Sequence, residues 1–184
     1  MAADKKTIEG VLLLVPQQRP FRFIDDILEM DENHIIGTYR FRDDEYFYKG
    51  HFPGHPITPG VILIETMAQT GVVAFGIYQL MWQGNSSDQI KRLVTLFTMV
   101  DECDFNGIVS PGERVIITGE KIYLRRGNLK TKVSMEKENG ESVCHAVLTG
   151  RGVNFNEKNR IVVLVISDYI FVFGFMWEAK NKQR

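Results

Sequence analysis

The sequence predicts an α+β fold in which an antiparallel sheet wraps around one buried helix. Three observations carry this. Between Gly60 and Gly84 the chain is apolar, with Glu65 its only formal charge. The stretches on either side of it are runs rich in β-branched and aromatic residues. Hairpin signals such as Asn139-Gly140 separate several of those runs.

Taken in order, Thr7 is placed to cap a short helix over Ile8–Val15, whose Leu12, Leu13 and Val15 supply an apolar face. Pro16 and Pro20 end it. Phe21–Met30 reads as a strand, Asp31-Glu32-Asn33 as a turn and His34–Phe41 as the second strand of an early hairpin. Arg42–Glu45 is a polar loop. The long helix is expected to start near Pro59, a residue favoured in a first helical turn, and to run to about Trp82. Ala68, Gly71, Ala74 and Gly76 are small and let that helix lie close against its neighbours. Gly84–Asp88 reads as a loop. Strands follow over Arg92–Val100, Arg114–Leu124, Leu129–Lys137 and Glu141–Asn154, with turns at Ser110–Glu113 and Arg125–Asn128.

Beyond them, Ile161–Trp177 is nearly all apolar, with Asp168 its only charge. It is shorter than the ~20 residues that a membrane helix needs, so no stable membrane insertion is expected. Its Val, Ile and Phe content suits a strand pair better than a helix, and the structural readings are an added edge strand or a tail that docks on a partner subunit. The expected organisation is one domain over residues 1–155 and an apolar C-terminal extension over residues 156–184.

Bulk numbers exclude several function classes. Of the 184 residues, 44% are hydrophobic and 24% charged, the composition of a globular protein. A net charge of −1 offers no basic field for nucleic acid or an acidic membrane. Cys103 and Cys144 lack ligand spacing and read as buried, reduced thiols. The first residues, MAADKKTIEG, lack the apolar core of a signal peptide, so a cytoplasmic location is expected.

The chemistry concentrates in His51–Gln69, HFPGHPITPGVILIETMAQ. A carboxylate in an apolar helix is costly to bury, because desolvation disfavours its charged form. Such a group has a partner or a task, and Glu65 is read as half of an acid–base pair with His51. Gln69 lies one turn after Glu65 on the same face, within reach of its carboxyl. Gly60 presents a backbone N–H at the helix start, where unpaired donors and the positive dipole end favour developing negative charge. A base, an acid and an oxyanion donor are the parts needed to remove a proton alpha to a carbonyl and expel a beta leaving group. The bland alternative is a proline-rich loop feeding a core helix, with Glu65 salt-bridged and His51 on the surface. His51 and His55 have the four-residue spacing of helical metal ligands. The prolines and glycine around them rule out that helix and no third ligand is evident, so no metal site is expected and His55 reads as structural.

The same stretch closely resembles the active-site segment of FabZ-type 3-hydroxyacyl-(acyl-carrier-protein) dehydratases, and more distantly the FabA type, which has an aspartate where Glu65 stands. Arg19-Pro20-Phe21, Ile24-Asp25 and Pro111-Gly112-Glu113 extend the match, which covers about Ile8 to Val153. The resemblance implies a hotdog fold, a homodimer whose sheets pair across its interface, and, in some members, trimers of dimers. It implies that His51 and Glu65 are catalytic and come together from different subunits. Gly60 would bind the thioester carbonyl, and Gln69 would support the acid. The acyl chain would arrive on the phosphopantetheine of acyl-carrier protein and lie in an apolar tunnel between subunits, lined in part by Phe21 and Phe97. No metal or redox cofactor is implied. The alternatives are a hotdog acyl thioesterase, which hydrolyses the thioester, and a non-catalytic acyl-chain binder.

Two features depart from the family. Asp101, Glu102 and Asp104 precede Phe105, and Asn106-Gly107 follow it, where many members carry basic residues that dock the carrier. Arg125 and Arg126 could compensate. The apolar C-terminal segment is also not part of the pattern. Both features favour a specialised lipid or polyketide-like pathway.

Overall fold

A computed structural model describes residues 2–154, so the expectations for Ile161–Trp177 and the C-terminal extension lie outside the described residues. Helix α1 spans Lys5–Leu14. Strands β1 (Asp26–Met30) and β2 (His34–Arg40) form the early hairpin. A single 3₁₀ turn, Tyr46–Lys49, precedes the loop that carries His51. The central helix α2 runs over Gly60–Trp82, and a short α3 over Ser87–Lys91. Strands β3 (Leu93–Phe105), β4 (Arg114–Arg125), β5 (Asn128–Lys137) and β6 (Ser142–Asn154) complete a six-stranded sheet.

Every pairing is antiparallel, and the strand order is β1-β2-β4-β5-β6-β3. The sheet curls around α2, whose middle touches β2, β3, β4, β5 and β6. This is the hotdog fold. By length and composition α2 could cross a membrane, but here it is the core helix, with 72% of its apolar window buried inside the protein. Leu63, Met67, Val115, Ile117 and Leu148 pack together around its first half. Phe75, Ile77 and Tyr78 on its second half meet Val11 and Val15 at the end of α1 and Ile35 on β2.

The small residues do what their size predicts. Gly71 faces Gly119 on β4, where an added Cβ would stand 3.0 Å from the Gly71 Cα. A Cβ on Gly71 would stand 2.7 Å from Val133 Cγ2 on β5. Helix and sheet therefore touch almost backbone to backbone. Gly71→Ala is expected to lower stability by about 1–3 kcal/mol through overpacking, although alanine is the better helix former. Thermal unfolding measures this, with a Tm lower by about 2–4 °C for each kcal/mol.

Several boundaries differ from the sequence reading. Asp4, not Thr7, caps α1: its carboxylate accepts from the Thr7 N–H at 2.8 Å, which moves the start to Lys5. Residues 21–25 are not part of β1, because two of their backbone groups bond to the Gln69 side chain instead of a strand. Pro59 is the N-cap of α2, and Gly60 is its first helical residue. The loop expected over Gly84–Asp88 leads into α3, held by a capping box between Ser86 and Gln89. Strand β3 continues to Phe105 through a bulge between Asp101 and Asp104, where Glu102 takes a left-handed φ of 48°. Both cysteines are free, and burial pushes the Cys144 thiol up to about 12.

Candidate active site

The loop carrying His51 is tied down at both ends. Arg42 bridges Asp25, at 2.7 Å, and the Tyr39 hydroxyl, at 2.9 Å. The Tyr39 hydroxyl in turn donates to the buried Glu45 carboxylate. Burial, and then Glu45, raises the Tyr39 pKa, so the phenol stays a donor. The next residues form the 3₁₀ turn. Its Tyr48 hydroxyl meets Thr58 Oγ1 at 2.7 Å, closing the loop from Lys49 to Ile57 into a ring. Both residues are buried, and burial pushes the Tyr48 hydroxyl up to about 12. The Thr58 N–H then donates to the Val109 carbonyl at 2.8 Å, which fastens the loop to the body.

Within that ring the His51 N–H donates to the Phe47 carbonyl, and the His51 carbonyl accepts from the Ile57 N–H, each at 3.0 Å. Its imidazole stacks on Phe52 with ring centres 4.1 Å apart. The ring Nδ1 lies 3.0 Å from the Ile57 carbonyl oxygen. A carbonyl can only accept, so Nδ1 carries the proton and the neutral ring keeps its lone pair on Nε2. The loop thus sets the tautomer that a general base needs. His55 takes a structural place: its N–H and carbonyl exchange hydrogen bonds with Phe52 across the loop.

Glu65 lies on the first half of α2, half-buried. Burial raises its pKa, and the hydrogen bond from Gln69 opposes that rise. Gln69 is 0% exposed, and α2 widens into a π-helical segment over Gln69–Ala74 from this residue on. Its orientation is fixed from outside the helix. The Phe23 N–H donates to Oε1 at 2.6 Å. That leaves Nε2 to donate to the Phe21 carbonyl and to Glu65 Oε1, each at 2.9 Å. The amide therefore holds the carboxyl in one place while linking α2 to the 21–23 segment. Gln69→Leu orphans the Phe23 N–H and the Phe21 carbonyl, and is expected to cost about 1–3 kcal/mol for each orphaned group. Chemical denaturation of the variant checks this as a lower midpoint.

Gly60 begins α2, where the first-turn N–H groups have no intrahelical acceptor. The Phe105 ring lies 3.1 Å from the position a Gly60 Cβ would take, so a side chain here would displace it. Phe97 and Glu65 line one small recess, of ≈ 50 Å³. Phe21 does not: its ring packs edge-on against Phe23 with centres 5.2 Å apart, and its backbone serves Gln69. Among the described residues, no hydrogen bond or ion pair joins His51 to Glu65 within one chain. The acidic patch before Phe105 is partly answered, since Lys130 pairs with Asp101 at 3.1 Å and His145 lies 3.2 Å from Asp104. Arg125 and Arg126 stand at the turn between β4 and β5. There Arg126 shares a cavity wall with Gly76 and Leu80, on the half of α2 away from Gly60.

The sequence reading missed Tyr48, Thr58, Tyr39 and Glu45, which brace the His51 loop. A signal existed for one of them: Tyr48 sits in an aromatic trio, Tyr46-Phe47-Tyr48, just before a turn-rich stretch.

Comparison with known proteins gives a concordant result. The model of the FabA-like domain family matches residues 15–146. A "3-hydroxyacyl-(acyl-carrier-protein) dehydratase FabZ" from Pectobacterium atrosepticum is 35% identical over 150 residues, covering 79% of this chain and 93% of the relative. Another from Caldicellulosiruptor saccharolyticus is 33% identical over 142 residues, covering 77% and 94%. Among solved structures, the dehydratase heterocomplex ApeI:P from Xenorhabdus doucetiae contains a chain that matches with a TM-score of 0.65. That match has 13% identity and covers 79% of this chain and 91% of the other, a likeness of fold. With the family model matched over most of the sequence and relatives matched over nearly their whole length, this chain belongs to the FabA-like family and, within it, to the FabZ-type 3-hydroxyacyl-(acyl-carrier-protein) dehydratases.

Proposed function

We propose that this protein removes water from 3-hydroxyacyl thioesters carried on acyl-carrier protein, giving trans-2-enoyl thioesters. The observation that carries the reading most directly is the Gln69-held carboxyl of Glu65. Burial favours its protonated form, as a general acid requires.

The Gly60 N–H at the start of α2 polarises the thioester carbonyl and stabilises the enolate-like charge that develops there. The lone pair on His51 Nε2 takes the C2 proton. The electrons of the broken C2–H bond form the C2–C3 double bond and expel the 3-hydroxyl. The Glu65 O–H protonates that oxygen, and water leaves. The step is redox-neutral and is driven by the chain's own acid and base, so the reading assigns it no cofactor. The phosphopantetheine arm of the carrier delivers the substrate.

His51 and Glu65 act in one site when they come from different subunits. Support comes from β3, one of the two terminal strands of the sheet, whose outer edge has no partner strand among the described residues. Phe97, Met99 and Val100 are 38%, 45% and 39% exposed along it, and a long apolar edge is a template for pairing with a second copy. A homodimer joined through β3 follows from this reading, in a cytoplasmic pathway for fatty acids or related specialised lipids.

The test is an assay of purified protein with 3-hydroxyacyl and enoyl thioesters on acyl-carrier protein. Interconversion of the two, with the thioester intact, supports the reading. Release of free thiol without enoyl product selects a thioesterase, and binding without turnover selects a non-catalytic acyl carrier.

A further inference from the structure

Gln17 carries a buried oxygen that the fold does not use. Its Oε1 has no hydrogen-bond partner among the described residues. The next residue shows the ordinary alternative: Gln18 is exposed, and its amide donates back to the Pro16 carbonyl at 3.4 Å. An orphaned buried acceptor lowers stability, so one that is kept calls for a task.

Its position points to that task. Gln17 lines the same recess of ≈ 50 Å³ as Glu65. Apart from the Thr95 hydroxyl, the rest of the wall is apolar, from α2 and from Phe97 on β3. The recess admits groups the size of a hydroxyl or a water. The loop that brings Gln17 there is pinned. Arg22 Nη2 donates to the Leu12 carbonyl at 2.9 Å, and the Phe21 N–H donates to the Gln18 carbonyl at 2.8 Å. The Phe21 carbonyl in turn accepts from Gln69 Nε2, the amide nitrogen that also holds Glu65. One glutamine thus fastens both the acid and the loop that carries Gln17.

The two groups are chemically complementary. Gln69 occupies Glu65 Oε1, which leaves Oε2 to carry the acidic proton. The acid is a donor and the Gln17 oxygen an acceptor, and a hydroxyl is satisfied by one of each. We infer that Gln17 Oε1 accepts the O–H of the substrate's 3-hydroxyl. The inference rests on the dehydratase reading for where that hydroxyl stands. With its O–H directed at Gln17, the hydroxyl turns a lone pair toward the Glu65 proton, the alignment that the transfer needs. The departing water is then the substrate's own O–H plus the proton from Glu65. As that oxygen gains the proton it becomes a stronger donor, so the bond to Gln17 tightens in the transition state. A chain without a 3-hydroxyl leaves Gln17 unpaired and is held less tightly.

The experiment uses Gln17→Met, a side chain of similar length without the amide. Removing an orphaned acceptor is expected to leave the denaturation midpoint unchanged or higher. The kcat/KM for dehydration of 3-hydroxyacyl-pantetheine is expected to fall about tenfold, the worth of one hydrogen bond. Equilibrium binding is read in the His51→Ala protein, where turnover is stopped, with 3-hydroxyacyl-pantetheine and its 3-deoxy analogue. The preference for the hydroxylated chain is expected to fall about tenfold when Gln17→Met is added. An unchanged preference overturns the inference. So does a lowered denaturation midpoint, which would show that the fold itself uses the oxygen. Absent turnover in the wild type, with the preference still lost in Gln17→Met, overturns the dehydratase reading and keeps the hydroxyl site.

Discussion

Replacing His51 by alanine is expected to lower the rate of dehydration by about a thousandfold, within the 10²–10⁴ that a positioned general base contributes. The loss falls on kcat, because the ring acts on the C2 proton in the transition state. The fold is expected to survive. His51 is only half-buried, and the loop around it is closed by backbone bonds and by the Tyr48–Thr58 pair, none of which uses the imidazole. His51→Gln keeps a polar side chain but no base, and is expected to be as inactive as alanine. Single-turnover kinetics on a carrier-bound substrate check both variants. Near-wild-type rates in His51→Ala would remove the base from the mechanism.

Glu65→Gln carries the second large effect. The amide matches the carboxyl in shape but has no acidic proton, so the leaving hydroxyl departs unassisted and the rate falls about 10²–10⁴-fold. The same substitution changes the pH dependence of stability. Burial raises the Glu65 pKa in the folded state above its unfolded value. The folded state therefore holds the proton more tightly, and the advantage is complete below the unfolded pKa. It is lost as pH rises through the folded pKa, where the carboxylate must be charged in a desolvated place. Glu65→Gln removes this sensitivity, so the stability difference between variant and wild type shifts in favour of the variant as pH rises through that window. Wild-type activity falls on the alkaline side for the same reason, since only the protonated form can donate. Denaturation midpoints of both proteins across mildly acidic to neutral pH measure the first effect.

Much of this was legible because the decisive residues obey local rules. A single acid in a long apolar run stands out in any sequence, and Gln69 one turn later is a matter of helical spacing. The small residues of α2 announced the close contact with the sheet that Gly71 and Gly119 make. Less was legible where tertiary bonds override local pattern. Residues 21–25 have a strand's composition, but the Gln69 amide, 46 positions on from Phe23, takes the place of a strand partner. The same bond is why Gln69 does more than touch Glu65: it fixes the acid from outside the helix. Helix α3 was missed although Ser86 and Gln89 have capping-box spacing, because five residues carry too little periodicity. The bracing of His51 by Tyr48 and Thr58 had only the aromatic trio around Tyr48 as a signal, since the pairing depends on where the loop closes. Arg125 and Arg126 were legible as charge but not as position. Their charge suits an acidic carrier, but within one chain the fold sets them at the half of α2 away from Gly60.

The central claim is that each site takes His51 from one subunit and Glu65 from the other. Mixing the inactive His51→Ala and Glu65→Gln proteins, after dissociation and reassociation, tests it directly. Half of the dimers are then mixed, and each mixed dimer has one of its two sites intact. The mixture is expected to recover about a quarter of wild-type activity, as an isologous dimer requires. A mixture as inactive as its two components, with mixed dimers shown to have formed, would contradict the account and place both groups of each site in one chain.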